Sequence, residues 1–233
     1  LTYDFLKLLN GQNNHSTLKL LCVPYPYLSL IDNMCKGNES VKVGAQNCSS
    51  YERGAFTGEV STEMLKSLGI EYVIIGHSER REFFSEDNKT LHDKVELSLA
   101  NKITPIFCCG ETLDVRNKGT HKDFVLSQLQ ETIYNLSADD FSKVIIAYEP
   151  IWAIGSGMTA SVDDIQEMHS AIRSSIKINY GSAISRNTSI LYGGSVKPIN
   201  AKDIFDLEDV NGGLIGGASL VANDFFDIVN SIS

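Results

Sequence analysis

The chain has 233 residues, of which 42% are hydrophobic and 21% charged, and its formal net charge is -9. This length can bury the core of one globular domain, which excludes a small disulfide-stabilised module. No apolar run reaches the roughly 18 residues of a membrane-spanning helix, and the acidic charge argues against a nucleic-acid-binding surface. The five cysteines, an odd number, indicate a reducing compartment rather than a disulfide framework.

Short apolar segments alternate with longer amphipathic segments, which predicts parallel strands joined by helices. The first segment, 1–9, is a predicted helix that ends at Asn10-Gly11 and has no strand before it. The predicted strands are 18–24, 41–46, 72–76, 104–109, 143–148, 189–192 and 213–215. The clearest helices between them are 123–135 and 163–180, and Ser161 can cap the second of these.

The arrangement of these elements predicts a single α/β domain over residues 1–233, because no linker or change of composition divides the chain. Seven strands with eight helices would fit an open sheet. A closed eight-fold barrel would need one more strand, since seven strands would leave two hydrophobic edges unpaired.

Glu149 is the first candidate catalytic residue. It ends strand 143–148, and catalytic groups of parallel α/β folds collect at the C-terminal ends of strands. The loop that follows contains Trp152, Ile154 and several glycines, and closure of this loop would shield the carboxylate from water and make it a stronger base. The alternative is a glutamate in solvent, but Trp152 and Ile154 would then be costly to expose.

His77 ends another predicted strand. If a helix begins at Ser78, its amides favour a neutral imidazole that can donate a hydrogen bond to a carbonyl oxygen. The alternative is an ordinary histidine bonded to the backbone. Glu79 and Arg80 are expected to form an ion pair with each other. The remaining histidines, which are expected to be solvated, are His15, His92, His121 and His169.

Two glycine clusters, 192–195 and 212–219, follow the last two predicted strands. Glycine lets backbone amides approach an anion closely, so these loops could bind a phosphate; the alternative is a pair of tight turns that need positive φ. Two successive final loops are the usual phosphate position of a (β/α)8 barrel. Cys108 and Cys109 lack a second pair of ligands at metal-binding spacing and are expected in the core.

With these motifs the chain resembles the triosephosphate isomerase family over essentially its whole length. The segments that carry the resemblance are 45–48, 54–59, 75–81, 147–155, 192–196 and 216–220. The resemblance implies a (β/α)8 TIM barrel that forms a homodimer and uses neither cofactor nor metal. It also implies an isomerase that interconverts dihydroxyacetone phosphate and D-glyceraldehyde 3-phosphate.

The resemblance further implies a role for each residue of the site. Glu149 would move a proton between C1 and C2 through an enediolate, while His77 would polarise the carbonyl. Supporting residues would be Ser78, Glu79, Leu214 and Ile154, the last two pressing on Glu149. The phosphate would be bound by Gly155, Ser195, Gly216 and Gly217. The lid would span 150–160 and include Pro150, Ile151, Trp152 and Gly157. The subunits would interlock through loop 47–59, which includes Asn47, Thr57 and Glu59.

One feature of the family is not found in the sequence. The first strand of the family ends in an Asn-x-Lys element, and none precedes Leu1. Without its lysine the site would lose electrostatic stabilisation of the oxyanion, and Glu79 would lose its family partner. The absent initiator methionine and the helix without a strand before it lead us to expect that the native chain carries this first strand.

Three functions therefore remain in competition. The leading hypothesis is an active isomerase in the cytoplasm, with a plastid as the other possible location. The second is a catalytically impaired barrel that acts as a binding or structural protein. The third is an aldolase or a phosphoribosyl isomerase, for which we find no Schiff-base lysine or paired aspartates at strand ends.

Overall fold

The structure, a computed structural model, describes residues 1–9, 17–155 and 157–232. Within these ranges one sheet contains six parallel strands in sequence order: β1 (Lys19–Val23), β2 (Val41–Ala45), β3 (Tyr72–Ile75), β4 (Thr104–Cys109), β5 (Ile145–Tyr148) and β6 (Ile190–Tyr192). The helices are α1 (Thr2–Leu9), α2 (Leu28–Cys35), α3 (Thr62–Ser67), α4 (Ser78–Phe83), α5 (Asn88–Ala100), α6 (Leu113–Asn117), α7 (His121–Thr132), α8 (Ala138–Phe141), α9 (Val162–Asn187), α10 (Pro198–Phe205) and α11 (Ala222–Asn230). Short 3-10 turns occupy Tyr25–Tyr27, Ile151–Ala153 and Gly217–Leu220.

Both faces of the sheet are apolar, because successive side chains of each strand point to opposite faces and both faces are covered. Inside the curved sheet, Ile74, Ile106, Cys108 and Ala147 form a small buried cluster. The other side chains of the strands, such as Phe107, pack with the helices in the large core. A curved parallel sheet enclosed by helices confirms the predicted α/β class of (β/α)8 type.

The predicted strands differ from the observed ones mainly at the last position. The first six are confirmed within two residues at each end. Of the predicted strand 213–215, Gly213 alone pairs, through an isolated bridge with Tyr192. In the described part of the chain this segment meets a neighbour on one side only. Its backbone hydrogen bonds to β6 join Tyr192 to Gly212 and Leu214, and those of the residues just before it join Asn211 to Ile190.

Helix α9 begins where the sequence predicts, because Ser161 and Asp164 form a reciprocal capping box. It runs on beyond the predicted end at Tyr180, across a non-helical residue, Gly181, whose φ is 85°. Glycine adopts this conformation without the strain that a Cβ would add, so the helix resumes beyond the kink. Helix α1 is confirmed, but its predicted stop at Asn10-Gly11 lies outside the described residues.

The expectation of solvated histidines is wrong for His169, which is fully buried. It lies on the apolar face of α9, in the i, i+3, i+4 series of Ile165, Met168 and Ile172, and its ring meets Tyr148 edge-on at 5.8 Å. Burial lowers the pKa of His169 to about 4. His92 and His121 are partly buried and contact Thr132 and Glu167 respectively. His15 lies outside the described residues.

The thiols belong to the interior of the protein. All five cysteines are free, and Cys108 and Cys109 are buried as expected. Cys22 is partly buried, and burial raises its pKa to about 12, which disfavours the thiolate form. None of the described helices combines the length and the apolar character that crossing a bilayer requires.

Candidate active site

Glu149 lies at the C-terminal end of β5 and is 1% exposed. Its backbone amide donates to the carbonyl of Cys109 at 2.8 Å, which extends the pairing of β4 and β5 to this residue. Glycines in the neighbouring loops make room for it. A Cβ on Gly193 would lie 2.9 Å from Glu149 Cγ, and a Cβ on Gly110 would overlap the carbonyl of Glu149. The buried carboxylate is therefore confined between two neighbouring strand ends.

The structure brings Glu149, His77 and Ser78 together. Helix α4 begins at Ser78, as the sequence predicts, and the backbone amide of Ser78 donates to Glu149 Oε2 at 2.9 Å. Glu149 Oε1 lies 3.0 Å from His77 Nε2 without the alignment of a hydrogen bond. One oxygen of the carboxylate is thus held by a helix N-terminus, while the other is a buried acceptor that can receive a further donor.

The environment of His77 defines its tautomer. The amide of Glu79 donates to His77 Nδ1 at 3.4 Å, so the proton of the neutral ring is assigned to Nε2, which faces Glu149. Contact with the Glu149 carboxylate raises the pKa of His77, and burial of the ring opposes this. Helix amides favour the neutral ring and the nearby carboxylate favours the charged one.

The predicted ion pair between Glu79 and Arg80 is wrong. Adjacent residues of a helix point about 100° apart, so neighbouring side chains do not face each other. Arg80 Nε instead bonds Glu86 Oε1 at 2.6 Å, and the side chain of Glu79 is 68% exposed with Oε2 3.7 Å from His77 Nδ1.

Glu86 belongs to a buried polar chain that sequence analysis missed. Lys94 Nζ bonds Glu86 Oε1 at 2.7 Å and Asn47 Oδ1 at 2.8 Å, and the Lys94 side chain is 4% exposed. These polar contacts connect α4 to loop 47–59 through Arg80, Glu86, Lys94 and Asn47. Its signal in the sequence is Lys94 itself, a charge on the apolar face of α5 beside Leu91 and Val95.

The predicted lid, 150–160, is fixed at both ends and exposed in the middle. Pro150 and Ala160 are buried, while Gly155 and Gly157 are exposed and have φ of 66° and 81°. Residue 156 lies outside the described residues. Ile151 and Trp152 form a 3-10 turn directly after Pro150, and Ile154 is partly buried.

Glu111 attaches the first residues of the lid to β4. Its Oε1 accepts from Trp152 Nε1 at 2.9 Å and from Tyr148 Oη at 3.0 Å, and its carbonyl accepts from the amide of Ile151 at 3.1 Å. Burial raises the pKa of Glu111. The sequence places Glu111 after a buried strand, but its contact with the lid needs the sheet order to bring the ends of β4 and β5 together.

The phosphate-binding candidates lie on three adjacent loops. Gly155 follows β5, Ser195 follows β6, and Gly216 and Gly217 follow the bridge to Tyr192. A Cβ on Gly216 or Gly217 would meet open space, and neither residue has a positive φ. The fold therefore does not require glycine at these two exposed positions, which argues against tight turns with positive φ there.

The other two glycines of the first cluster have a packing role. Gly193 leaves space for Glu149, and a Cβ on Gly194 would overlap the hydroxyl of Tyr192. Leu214 lies beside the small cluster inside the sheet. Its predicted contact with Glu149, together with Ile154, stays a prediction.

Loop 47–59 presents two aromatic side chains on the surface. The rings of Tyr51 and Phe56 stack at 3.8 Å, with exposed fractions of 53% and 39%. Thr57 and Glu59 are exposed in the same loop, and Asn47 is partly buried where it bonds Lys94.

Comparisons with known proteins give the family of the chain. The family model described as triosephosphate isomerase matches residues 2–232. The triosephosphate isomerase of Cytophaga hutchinsonii is 56% identical over 212 residues, which cover 91% of this chain and 84% of that protein. That of Bacteroides fragilis is 49% identical over 214 residues, 92% of this chain and 84% of that protein. That of Lactobacillus delbrueckii is 44% identical over 211 residues, 91% of this chain and 83% of that protein. The chain belongs to the triosephosphate isomerase family.

Proposed function

We propose that this chain is a triosephosphate isomerase, which interconverts dihydroxyacetone phosphate and D-glyceraldehyde 3-phosphate through an enediolate. The observation that carries the proposal is a buried carboxylate, Glu149, in contact with the imidazole of His77 where the lid and the glycine loops converge. A base and an electrophile side by side are what a proton shift next to a carbonyl requires.

Glu149 acts as the general base. It removes a proton from C1 of dihydroxyacetone phosphate, and the electron pair of the C–H bond forms the C1–C2 double bond while the carbonyl oxygen becomes the enediolate oxygen. Return of the proton to C2, with transfer of the hydroxyl proton from O1 to O2, yields the aldehyde. The carboxylate is 1% exposed, so bulk water does not surround the base.

His77 stabilises the charge that develops on the substrate oxygen. Its Nε2 carries the proton because Nδ1 accepts from the amide of Glu79. The substrate enters between His77 Nε2 and Glu149 Oε1, which are now 3.0 Å apart, so the carboxylate must move when substrate binds. Separation from the carboxylate also removes the main cause that raises the pKa of His77, which favours the neutral ring.

The phosphate is held by the backbone amides of Gly155, Ser195, Gly216 and Gly217. Support comes from their placement on three adjacent loops and from the open space around Gly216 and Gly217. The lid, 150–160, closes over the substrate and excludes water, which protects the enediolate from loss of phosphate.

The active form is a homodimer, and loop 47–59 provides the contact between subunits. The stacked Tyr51 and Phe56 support this, because a partner that covers two exposed aromatic rings on one loop buries apolar surface. We place the enzyme in the cytoplasm, where five free thiols stay reduced.

The test is a coupled assay with glyceraldehyde 3-phosphate on the full chain and its Glu149→Gln variant. Loss of the base should lower kcat by about 10²–10⁴-fold. Glu82→Gln on helix α4, an exposed carboxylate outside the site, is the matched control and should keep the rate. An inactive wild-type chain, or a Glu149→Gln variant as fast as wild type, would overturn the proposal.

A further inference from the structure

Arg116 contacts Trp152 near one end of the lid and Asp164, which binds Ser161 just beyond the other end. It lies on the short helix α6, five residues after Glu111, and its side chain is 14% exposed. We propose that Arg116 is a positioning residue that couples the two ends of lid 150–160, so that the lid opens and closes as one body. The inference rests on the proposed function, because it takes residues 150–160 as the segment that closes over the substrate.

The first set of contacts is with the N-terminal end of the lid. Arg116 Nη1 lies 3.3 Å from Glu111 Oε1, the same oxygen that accepts from Trp152 Nε1. The guanidinium carbon lies 5.1 Å from the centroid of the Trp152 ring, which is within cation–π distance. Arg116 thus contacts both the anchor and the anchored side chain.

The second set of contacts is with the residues that follow the lid. Arg116 Nη2 bonds Asp164 Oδ1. The other oxygen of Asp164 accepts from the amide of Ser161 at 3.1 Å and from its hydroxyl at 2.7 Å. Ser161 follows Ala160, the last residue of the lid, and caps α9. Through Asp164, the guanidinium is therefore linked to Ser161, the residue at which the lid joins helix α9.

These contacts make the two ends of the lid interdependent. Motion of Trp152 away from Glu111 would change the groups that face Arg116 and would therefore alter the contact between Arg116 and Asp164. The planar guanidinium of Arg116 bonds the carboxylates of Glu111 and Asp164 through different nitrogens, while its face lies near the indole ring of Trp152. The single ammonium group of a lysine cannot make all three contacts in this arrangement. The competing explanation is a purely structural ion pair, which would affect stability and not the way the lid works.

The chemistry of the enediolate separates these explanations. If the lid leaks, the enediolate loses its C3 phosphate: the C3–O bond breaks, phosphate leaves with the electron pair, and the remaining enol rearranges to methylglyoxal. The ratio of phosphate released to isomerisation turnovers therefore measures closure of the lid, and a fall in the amount of folded enzyme leaves this ratio unchanged.

We expect Arg116→Met to raise this ratio about tenfold and Arg116→Lys to restore it incompletely. The matched control is Lys122→Met, which removes a cation of the same cluster whose Nζ bonds Glu167 at 2.8 Å. This control should leave the ratio within about twofold of wild type. An unchanged ratio in Arg116→Met would overturn the proposal.

A second measurement needs no turnover and therefore separates failure of the coupling from failure of the proposed isomerase. Trp152 is the only tryptophan of the 233 residues, so intrinsic tryptophan emission reports on the N-terminal end of the lid. Asp164→Asn, at the other end, should shift this emission, and the shift should disappear in the Arg116→Met background. Emission that does not respond to Asp164→Asn, or that responds equally in both backgrounds, contradicts the coupling even if the enzyme is fully active.

Discussion

The substitution Gly193→Ala tests whether the position of Glu149 depends on the space beside it. The added Cβ would lie 2.9 Å from Glu149 Cγ and 3.2 Å from the carbonyl oxygen of Tyr148. Non-bonded carbon atoms prefer about 3.5–4.0 Å, so one side must yield by roughly 0.6–1 Å. The carbonyl belongs to a paired strand, and hence the side chain of Glu149 must move.

A shift of this size in the base has a predictable cost. A displacement of about 1 Å can lower the rate about 10²-fold, and overpacking of a buried site typically costs about 1–3 kcal/mol of stability. We expect both effects in Gly193→Ala, measured as kcat/KM in the coupled assay and as the free energy of unfolding in urea. Gly217→Ala, whose Cβ meets open space, is the control for stability and should keep it. Wild-type kcat/KM in Gly193→Ala would refute the reasoning.

Three further predictions concern stability and assembly. His169 is buried with a pKa of about 4 against an ordinary value of 6.5, so the unfolded state binds more protons between these values and stability falls as the pH drops through this window. From pH 7 to pH 5 this group should lower the free energy of unfolding by about 2 kcal/mol. His169→Gln should remove that part of the pH dependence in urea unfolding. If the free energy of unfolding of His169→Gln kept the same pH dependence, that dependence would come from other groups. Lys94→Met leaves the buried Glu86 with one cationic partner instead of two, and unfolding free energy should fall by about 3 kcal/mol, whereas a loss below about 1 kcal/mol would mean that solvent stabilises Glu86. Phe56→Asp places a charge in the proposed subunit contact and should shift the dimer towards monomer in sedimentation, which Glu52→Gln in the same loop should not do. A dimer of unchanged stability in Phe56→Asp would remove loop 47–59 from the interface.

The sequence was sufficient to predict the parts of the site that depend on strand ends. Glu149 and His77 each follow a short apolar run, and parallel strands place their C-terminal ends on one side of the sheet. The contact between the two residues follows from this topology once β3, β4 and β5 are neighbours in the sheet. The capping box of Ser161 and Asp164 is equally local, because both partners lie within one helical turn.

Features that depend on tertiary contacts could not be predicted in the same way. Arg80 is adjacent to Glu79 in sequence, but its partner is Glu86, because the direction of a helical side chain and the path of the following loop decide the pairing. His169 has a polar side chain, and only its position among Ile165, Met168 and Ile172 indicates burial. The link from Arg116 to Trp152 and Asp164 joins segments 36 and 48 residues away along the chain, which local patterns do not specify.

The most direct test of the central claim follows the proton that Glu149 is proposed to carry. Dihydroxyacetone phosphate is converted in D₂O by the wild-type chain and by Glu149→Gln, and deuterium at C2 of the product is measured by NMR or mass spectrometry. A carboxylate that holds the proton between its removal from C1 and its return to C2 exchanges it with solvent, so wild-type product should carry deuterium at C2. The variant should form this product about 10²–10⁴-fold more slowly than wild type. Deuterium incorporation by Glu149→Gln at the wild-type rate would contradict the account.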